Sequence, residues 1–266
     1  MRPWVWLCFA LVACRAPRPA VTSSRPAPEE PREYQDYEGE DPGWNQTVPT
    51  ISSFPTSAGS EGSGEALVAE AVRELRAVQS TRYRHRTRVD EETGTFEFDC
   101  SGFVAYALTR VNPAALARVP VGPKGRARAE DFVAFFAGLG PDDPAWVPIR
   151  RGSDLGRGDL VAWLRPAEVT NTNTGHIAIV LERVGEAPTS SATTAIGGVR
   201  ELLLRVADST ESAHTGDERG VETSTGLGAG IIGLVVDASD APIGYRWRGN
   251  KSPKAFVTRI AIGRLR

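Results

Sequence analysis

The segment FDCSGFVAYALTR, residues 98–110, has the pattern of a helix that begins at a cysteine. Apolar residues recur in it at the three- and four-residue spacing of one helix face: Phe103, Val104, Ala107 and Leu108. Asp99 stands at the position of an N-cap residue, and Pro113 interrupts the pattern further on. The sequence therefore predicts a helix over 100–110 with Cys100 in its first turn.

Outward from this segment, helical patterns give way to extended ones. Apolar spacing predicts further helices over 65–79 and 129–137. Segments rich in β-branched and aromatic residues and bounded by turn residues predict strands: 159–164, 176–183, 199–207, 231–236, 244–247 and 256–262. The glycine run 226–230 lacks the Lys-Ser/Thr ending of a phosphate loop, so we expect a mobile loop beside the site. Helices followed by strands favour an α+β fold with an antiparallel sheet.

The N-terminus has the pattern of an export signal. In MRPWVWLCFALVAC, residues 1–14, a positive charge precedes a short apolar stretch that ends in small residues, which is typical of a secretory signal. The last four residues resemble a bacterial lipobox, in which Cys14 becomes the lipid-modified first residue of the mature chain. The alternative is an ordinary cleaved signal with a chance cysteine. We expect a signal peptide over 1–13 and lipidation at Cys14.

Residues 15–62 are rich in Pro, Ser, Glu and Gly and show no apolar periodicity. Such a composition cannot bury enough surface to fold, so we expect a disordered tether in front of a catalytic domain over 63–266. No apolar stretch reaches the ~18 residues that a transmembrane helix needs. The mature protein is therefore expected to have no membrane-spanning helix.

Overall charge argues against one class of partner. The net charge is -2 and the pI is near 6.0, so the chain has no broad attraction for phosphate backbones and we expect no nucleic-acid partner. The arginine-rich run 82–88 is followed directly by the acidic residues 90–92, which favours a solvated mixed face over a binding patch. We expect a monomer.

The cysteines leave one thiol in the mature chain. Cys8 departs with the signal and Cys14 is expected to carry lipid, so Cys100 has no disulfide partner. A reactive thiol and an inert buried cysteine are both open interpretations. A position at a helix N-terminus favours the thiolate and provides amides for an oxyanion, which makes Cys100 a candidate nucleophile. Ser101 is disfavoured as the nucleophile because it lacks a Gly-x-Ser-x-Gly elbow.

A thiolate nucleophile needs a proton acceptor, and the chain contains three histidines. His176 begins an apolar strand after the polar loop 171–174, so it is either a structural histidine or the base for Cys100. Two residues are candidates for orienting its ring, Asp208 and His214. Asp208 ends the strand that should pair with the His176 strand as a hairpin, so we expect it to be the third member. His214 is expected in a loop.

Three segments, FDCSGFV (98–104), RGDLV (157–161) and GHIAIV (175–180), occur in an order that resembles the NlpC family of papain-like cell-wall peptidases. The resemblance covers roughly residues 65–210. It implies a papain-like α+β fold of the NlpC type, with a helix-borne cysteine packed on an antiparallel sheet that carries the histidine. It also implies cleavage of peptide bonds in peptidoglycan stem peptides without a metal or organic cofactor. Residues after about 210 would form a C-terminal extension.

The same resemblance implies roles for residues near the nucleophile. Asp99 and Ser101 would border the pocket for the free amine of the stem peptide, and Tyr83 matches an upstream tyrosine of the family, although the glycine pair that usually follows it is absent. These three are our predicted substrate-binding residues. The predicted catalytic residues are Cys100 as nucleophile, His176 as general base and acid, and Asp208.

The sequence thus predicts an exported cysteine peptidase or amidase, anchored by lipid at the cell envelope and acting on peptidoglycan. Since Arg15, and not an aspartate, follows Cys14, the periplasmic side of the outer membrane is the expected location. Two alternatives stay open: an acyltransferase or amidase with the same nucleophile and another substrate, and a non-catalytic lipoprotein that binds peptidoglycan. Zinc binding by Cys100, His176 and Asp208 is disfavoured because no two of them have the close spacing of zinc ligands.

Overall fold

Antiparallel strands dominate the part of the chain that the computed structural model describes, which is residue 51 together with residues 63–219 and 225–266. Helix makes up 26% of these residues. The predicted signal peptide, Cys14 and the predicted tether lie outside the described residues, except for Ile51. None of the helices within the described ranges combines the length and the apolar composition that crossing a membrane requires.

The helices follow the predicted pattern closely. Their bounds are α1 Gly64–Ala77, α2 Cys100–Val111, α3 Pro113–Leu116, α4 Ala129–Gly138 and α5 Ser191–Ala195. The side chain of Ser63 caps α1 by accepting a hydrogen bond from the amide of Ala66, and that of Asp99 caps α2. The three predicted helices correspond to α1, α2 and α4 within two residues at each end, because their apolar faces and caps are local signals.

A small sheet lies next to α2 in the chain. Its strands are β1 Ser80–Tyr83, β2 Arg88–Asp90 and β3 Thr95–Phe98, in the order β1-β3-β2. β1 runs parallel to β3, and β2 runs antiparallel to it. The sequence patterns did not predict these strands because each is only three or four residues long. β3 leads directly into the N-cap of α2 and so fixes where Cys100 begins its helix.

The large sheet contains eight strands within the described residues and is antiparallel throughout. The strands are β4 Trp146–Ile149, β5 Leu160–Leu164, β6 Gly175–Ala187, β7 Arg200–Thr210, β8 Gly226–Val236, β9 Pro242–Arg246, β10 Phe256–Val257 and β11 Ile260–Leu265. Their order is β10-β9-β8-β7-β6-β5-β11-β4. The predicted hairpin between the His176 strand and the following strand is confirmed as β6 and β7.

Both faces of the large sheet are buried. Alternate residues of one strand belong to two separate apolar clusters, as the two-residue period of a strand requires. In β6, Ile177 and Ile179 pack in the cluster that contains the helices, whereas Ala178 and Val180 pack in the cluster of Trp163, Tyr245 and Trp247. His176 belongs to the second set by its register.

The expected papain-like α+β fold of the NlpC type is wrong. Cys100 is the first residue of α2, but the arrangement around it is a wide antiparallel sheet with few helices and not a papain-like one. The main reason is the region after residue 210, which was expected to be an extension. It supplies β8, β9, β10 and β11, half of the large sheet in the described chain, and β11 inserts between β5 and β4.

The structure differs from two further expectations. The glycine run 226–230 is not a loop beside the site but the buried first half of β8. Ile51 falls in the range predicted to be a disordered tether, yet it is buried: its amide donates to the Glu218 carboxylate at 2.9 Å, and Arg76 donates to its carbonyl at 3.1 Å. The rest of the predicted tether lies outside the described residues.

The RGDLV motif, residues 157–161, connects the sheet to α1. Asp159 is buried and accepts hydrogen bonds from the Arg264 guanidinium at 2.6 and 2.9 Å, which ties β5 to β11. Burial raises the pKa of Asp159 even though Arg264 opposes this effect. Gly158 has φ +84°, and a Cβ there would lie 2.5 Å from the backbone of Gly64. The motif is therefore explained by structural contacts.

Candidate active site

Cys100 lies at the N-terminus of α2, where the helix geometry favours a negative charge. Asp99 accepts from the amide of Gly102 at 2.8 Å through its side chain and from the amide of Phe103 at 2.9 Å through its carbonyl. The amides of Cys100 and Ser101 precede that first helical bond and can donate to an anion. A Cβ at Gly102 would lie 3.2 Å from Asp99 Oδ1, so glycine keeps room for the cap.

His176, near the start of β6, faces Cys100. The residues are 8% and 4% exposed, so the pair is almost sealed from water. Nε2 of His176 lies 2.7 Å from Asp208 Oδ2, which leaves Nδ1 for the hydrogen bond with the thiol group of Cys100. Burial alone would lower the pKa of His176, but the charge of Cys100 and the hydrogen bond to Asp208 raise it to about 9. The contacts therefore place a histidine with a raised pKa in hydrogen-bonding reach of the thiol group.

Asp208 lies on β7 and is completely buried. Burial would raise the pKa of its carboxyl group, but the neighbouring His214 and His176 hold that pKa well below the usual range. The next residue of the strand anchors the segment before α2, since Ser209 Oγ donates to the Phe98 carbonyl at 2.6 Å. The predicted set Cys100, His176 and Asp208 is thus brought together in that order.

His214 lies in the loop after β7, as expected, but it is buried behind Asp208 and not solvated. It is 3% exposed, and its Nε2 lies 2.7 Å from Asp208 Oδ2. Arg219, which the sequence analysis did not single out, donates to Asp208 Oδ1 at 3.1 Å and to Asp217 at 2.6 Å. Asp208 therefore has three cationic or hydrogen-bonding partners that are themselves buried.

Aromatic rings enclose the two imidazoles. The Trp163 ring lies 4.9 Å from that of His176, centroid to centroid, and the Trp247 ring lies 5.1 Å from His176 and 4.4 Å from His214. Aromatic faces stabilise a protonated imidazole and keep water away from it. Trp247 belongs to the region after residue 210, so that region completes the site.

A second cluster, formed by Asp99, Ser101, Arg126 and His85, borders Cys100 on the helix side. Arg126 contacts both carboxylate oxygens of Asp99, and its Nη1 donates to Ser101 Oγ at 2.8 Å. Ser101 Oγ also donates to Asp99 at 3.0 Å, and His85 Nδ1 lies 3.3 Å from the carboxylate. The residues expected to border an amine pocket therefore already hold a cation, Arg126, which no sequence pattern indicated.

Tyr83 lies on β1, close enough to Cys100 for the two groups to interact electrostatically. Burial raises the pKa of its hydroxyl group, and the charges of Cys100 and Asp99 raise it further. Its ring contacts the His85 ring edge-on, with 5.6 Å between the centroids. Tyr83 is therefore placed next to the predicted site as an un-ionised hydroxyl group at neutral pH.

His176, Asp208 and His214 are also the residues of the described chain that could offer ligands to a metal ion, with candidate atoms within 4.8 Å of one another. Two separations of 2.7 Å join the histidine nitrogens to one carboxylate oxygen. Ligands of a tetrahedral zinc ion, with bonds of ~2.0–2.1 Å, lie roughly 3.3 Å apart. Arg219 adds a positive charge at the same carboxylate. The arrangement fits a hydrogen-bonded network better than a metal site.

The structure thus places the predicted catalytic residues in one buried row and the predicted substrate-binding residues Tyr83, Asp99 and Ser101 on its helix side. Arg126 and Arg219 were missed, since each lies outside the helices and strands and no local pattern indicates its contact with Ser101 or Asp208. Comparison with known proteins finds no match among protein-family models, curated proteins or solved structures.

Proposed function

We propose that this protein is a cysteine hydrolase that cleaves amide or peptide bonds in peptidoglycan stem peptides. The observation that carries the proposal is the row formed by Cys100, His176 and Asp208, in which a thiol at a helix N-terminus meets a histidine whose pKa is raised to about 9. A nucleophile, a base and an orienting carboxylate in hydrogen-bond reach are the parts that thiol-based acyl transfer needs. The substrate class is supported by the resemblance of the three sequence motifs.

The first step is acylation. The Cys100 thiolate attacks the carbonyl carbon of the scissile amide, and the C–N bond breaks as His176 gives its proton to the leaving amine. The amides of Cys100 and Ser101 are placed to donate to the oxyanion of the tetrahedral intermediate. The products of this step are a thioester on Cys100, a free amine and a neutral His176.

The second step is hydrolysis. Neutral His176 removes a proton from a water molecule, which attacks the thioester carbonyl and releases a carboxylic acid. Asp208 keeps the His176 ring oriented in both steps and stabilises its protonated form without itself taking the proton. The sum of the two steps is the addition of one water molecule to one amide bond.

Substrate contacts are proposed for the helix side of the row. Asp99, Ser101 and Tyr83 border it there, and Arg126 neutralises the Asp99 carboxylate. This pairing disfavours strong attraction of a free amine by Asp99, because the carboxylate already contacts a guanidinium through both oxygens. We propose that binding relies on neutral hydrogen-bonding groups of the stem peptide.

The test is digestion of purified peptidoglycan by the full chain, followed by mass analysis of the fragments. Cleavage should produce one new amine end and one new carboxyl end per bond, and Cys100→Ala should abolish it. Asp142→Asn, an exposed aspartate remote from the row in sequence, is the matched control and should digest like the parent. Digestion by Cys100→Ala at the parent rate contradicts the proposal, as does a fragment pattern without new amine ends.

We also propose that the chain is exported and anchored to the bacterial cell envelope through lipid on Cys14, on the periplasmic side of the outer membrane. Attachment through two or more acyl chains should persist in high salt. The parent should remain with the membrane fraction after a salt wash and show a lipid-modified Cys14 by mass spectrometry. Cys14→Ser should appear in the soluble fraction or retain its signal. An unmodified Cys14 in a salt-washed soluble parent contradicts this localisation.

A further inference from the structure

Asp208 is held by more buried groups than a simple triad requires. We infer that His214 is a second, non-reacting histidine of the active site, a positioning residue that fixes the Asp208 carboxylate as an anion aimed at His176. In this role His214 limits how tightly His176 keeps its proton. The inference rests on the proposed function and adds a positioning residue to it.

The hydrogen bonds of His214 define its state. Nδ1 lies 2.9 Å from the Trp247 carbonyl and Nε2 lies 2.7 Å from Asp208 Oδ2. Both neighbours are acceptors, so the ring can donate to both only when each nitrogen carries a hydrogen. A neutral histidine would place a lone pair against one of the two oxygens. The contacts therefore favour an imidazolium at this position.

The carboxylate has no freedom to leave this arrangement. Its Oδ2 contacts the Nε2 atoms of both His176 and His214, and its Oδ1 accepts from Arg219 at 3.1 Å. The side chains of Asp208, His214 and Arg219 are each at most 1% exposed. Rotation would leave buried charges unpaired, which is costly.

The charges around His214 balance. Its ring faces Asp208 and the Trp247 carbonyl, its backbone amide donates to Asp217 at 3.0 Å, and Arg219 binds both aspartates. Two carboxylates thus face one guanidinium and one imidazolium. Cys100 and His176 beside them add no net charge, whether their shared proton lies on the sulfur or on the ring nitrogen. A neutral His214 would leave the first group with an excess negative charge in a sealed site.

Glycines in the neighbouring strand, β8, leave space for the side chains of His214 and Arg219. In β8, Gly228 pairs with Asp208, and a Cβ at Gly228 would lie 2.2 Å from Arg219 Nε. A Cβ at Gly230 would lie 2.7 Å from His214 Cβ. Alternate residues of a strand share one face, and glycine in a strand interior is costly. The glycine run 226–230 therefore has a reason in the packing of His214 and Arg219.

The inference predicts opposite effects of two substitutions on His176. His214→Gln keeps a hydrogen-bond donor beside Asp208 but removes a positive charge, so the pKa of His176 should rise by roughly one pH unit. Asp208→Asn removes the negative charge that stabilises the His176 imidazolium, so the pKa should fall. A side chain with a merely structural role would not produce shifts of opposite sign.

Histidine-ring NMR on the full chain measures these values without substrate. The chain has three histidines, and His85, whose side chain is 64% exposed, serves as an internal reference. Both ring nitrogens of His214 should carry hydrogen in these spectra, since each faces an acceptor oxygen. In peptidoglycan digestion, His214→Gln should lower kcat roughly 10- to 100-fold while KM changes less than about threefold.

Gly230→Ala keeps the His214 side chain but displaces it. It should therefore raise the pKa of His176, as His214→Gln does, but by a smaller amount. It also tests the inference if His214→Gln fails to fold. Gly140→Ala is the matched control, since a Cβ at Gly140 meets nothing within 4 Å.

The inference is overturned if the pKa of His176 does not move in either His214→Gln or Gly230→Ala, or if it falls in both. It is also overturned if the spectra show one ring nitrogen of His214 without hydrogen. These readouts need no turnover. Absence of peptidoglycan cleavage together with the expected ring titrations would therefore count against the proposed function and not against the role of His214.

Discussion

Asp99 and Asp208 flank the nucleophile from two sides, and their surroundings differ. Both are buried; Asp99 binds an arginine and one histidine, and Asp208 binds an arginine and two histidines. The side chains that hold Asp99 reach solvent, since Arg126 is 32% and His85 is 64% exposed. Those that hold Asp208 do not, since His214 is 0% and Arg219 is 1% exposed. Asp99 therefore caps a helix with partners that reach solvent, whereas the partners of Asp208 are buried.

The difference indicates that the two carboxylates have different roles in the site. Charges interact more strongly away from water, so the sealed Asp208 can control the protonation of His176. The partners of Asp99 are screened by solvent and can exchange with other molecules. We therefore expect substitutions around Asp208 to change chemistry and stability, and those around Asp99 to change substrate binding.

The largest expected effect comes from comparing Asp208→Asn with Asp99→Asn. Asp208→Asn leaves Arg219 and His214 as buried charges without their partner, which should cost about 3–5 kcal/mol of unfolding free energy and lower kcat at least ~100-fold. Asp99→Asn keeps a good N-cap residue and should cost about 1 kcal/mol or less. Urea unfolding and digestion kinetics of both variants provide the comparison. A larger stability loss in Asp99→Asn would contradict it.

A pH dependence of nearly the same size should come from His176. Its pKa is about 9 in the folded protein and ~6.5 in an unfolded chain. The stabilising contribution of up to about 3 kcal/mol is therefore complete below pH 6.5 and is lost as the pH rises through 9. The charge of Cys100 is the main cause that raises this pKa, so Cys100→Ala should weaken the loss. Unfolding free energies at pH 6, 8 and 10 measure it, and an unchanged pH profile in Cys100→Ala would argue against this interaction between Cys100 and His176.

The local sequence predicted the parts of the site that depend on neighbours in the chain. Cys100 comes directly after a capping aspartate at the start of an apolar helix. The hairpin of β6 and β7 allowed Asp208 to be predicted as the partner of His176. The other partners come from farther away. Arg126 binds Asp99 across 27 residues and Trp247 binds His214 across 33, so no local pattern indicates either contact.

The papain-like expectation failed for the same reason. The three motifs are short and local, whereas the sheet order depends on β11 pairing with β5 and β4. One sequence feature did point to side chains packed around Asp208: the alternating glycines of β8. Closely spaced glycines in a strand indicate close approach of another group. Without the structure, the approaching side chains could not be named.

A smaller effect is expected from Arg126→Gln, which releases the Asp99 carboxylate. Because Arg126 is partly exposed, its pairing should contribute at most about 1 kcal/mol to stability. KM should change while kcat stays within about threefold, and substrates with a free amine should gain relative to those with a blocked amine. Kinetics with a matched pair of stem peptides, free and N-acetylated, test this. A collapse of kcat with no change in the preference would place Arg126 in the chemistry instead.

The smallest effect is expected from His85→Ala. Its side chain is largely exposed and lies 3.3 Å from Asp99, so unfolding free energy should change by less than about 0.5 kcal/mol. The ring of Tyr83 loses an edge contact, which should alter KM slightly. Thermal unfolding and digestion kinetics check the variant. A stability loss as large as that of Asp208→Asn would remove the contrast between the two carboxylates.

The central claim is that Cys100 forms a thioester with the acyl part of a stem peptide, and intact-mass analysis after acid quenching tests it most directly. Full-length protein mixed with peptidoglycan fragments should show, within the first turnover, a mass increase equal to the acyl group. Proteolysis should locate that increase on the peptide containing Cys100, and Cys100→Ala should show none. Cleavage that proceeds without any adduct on Cys100, and at the same rate in Cys100→Ala, would contradict the account.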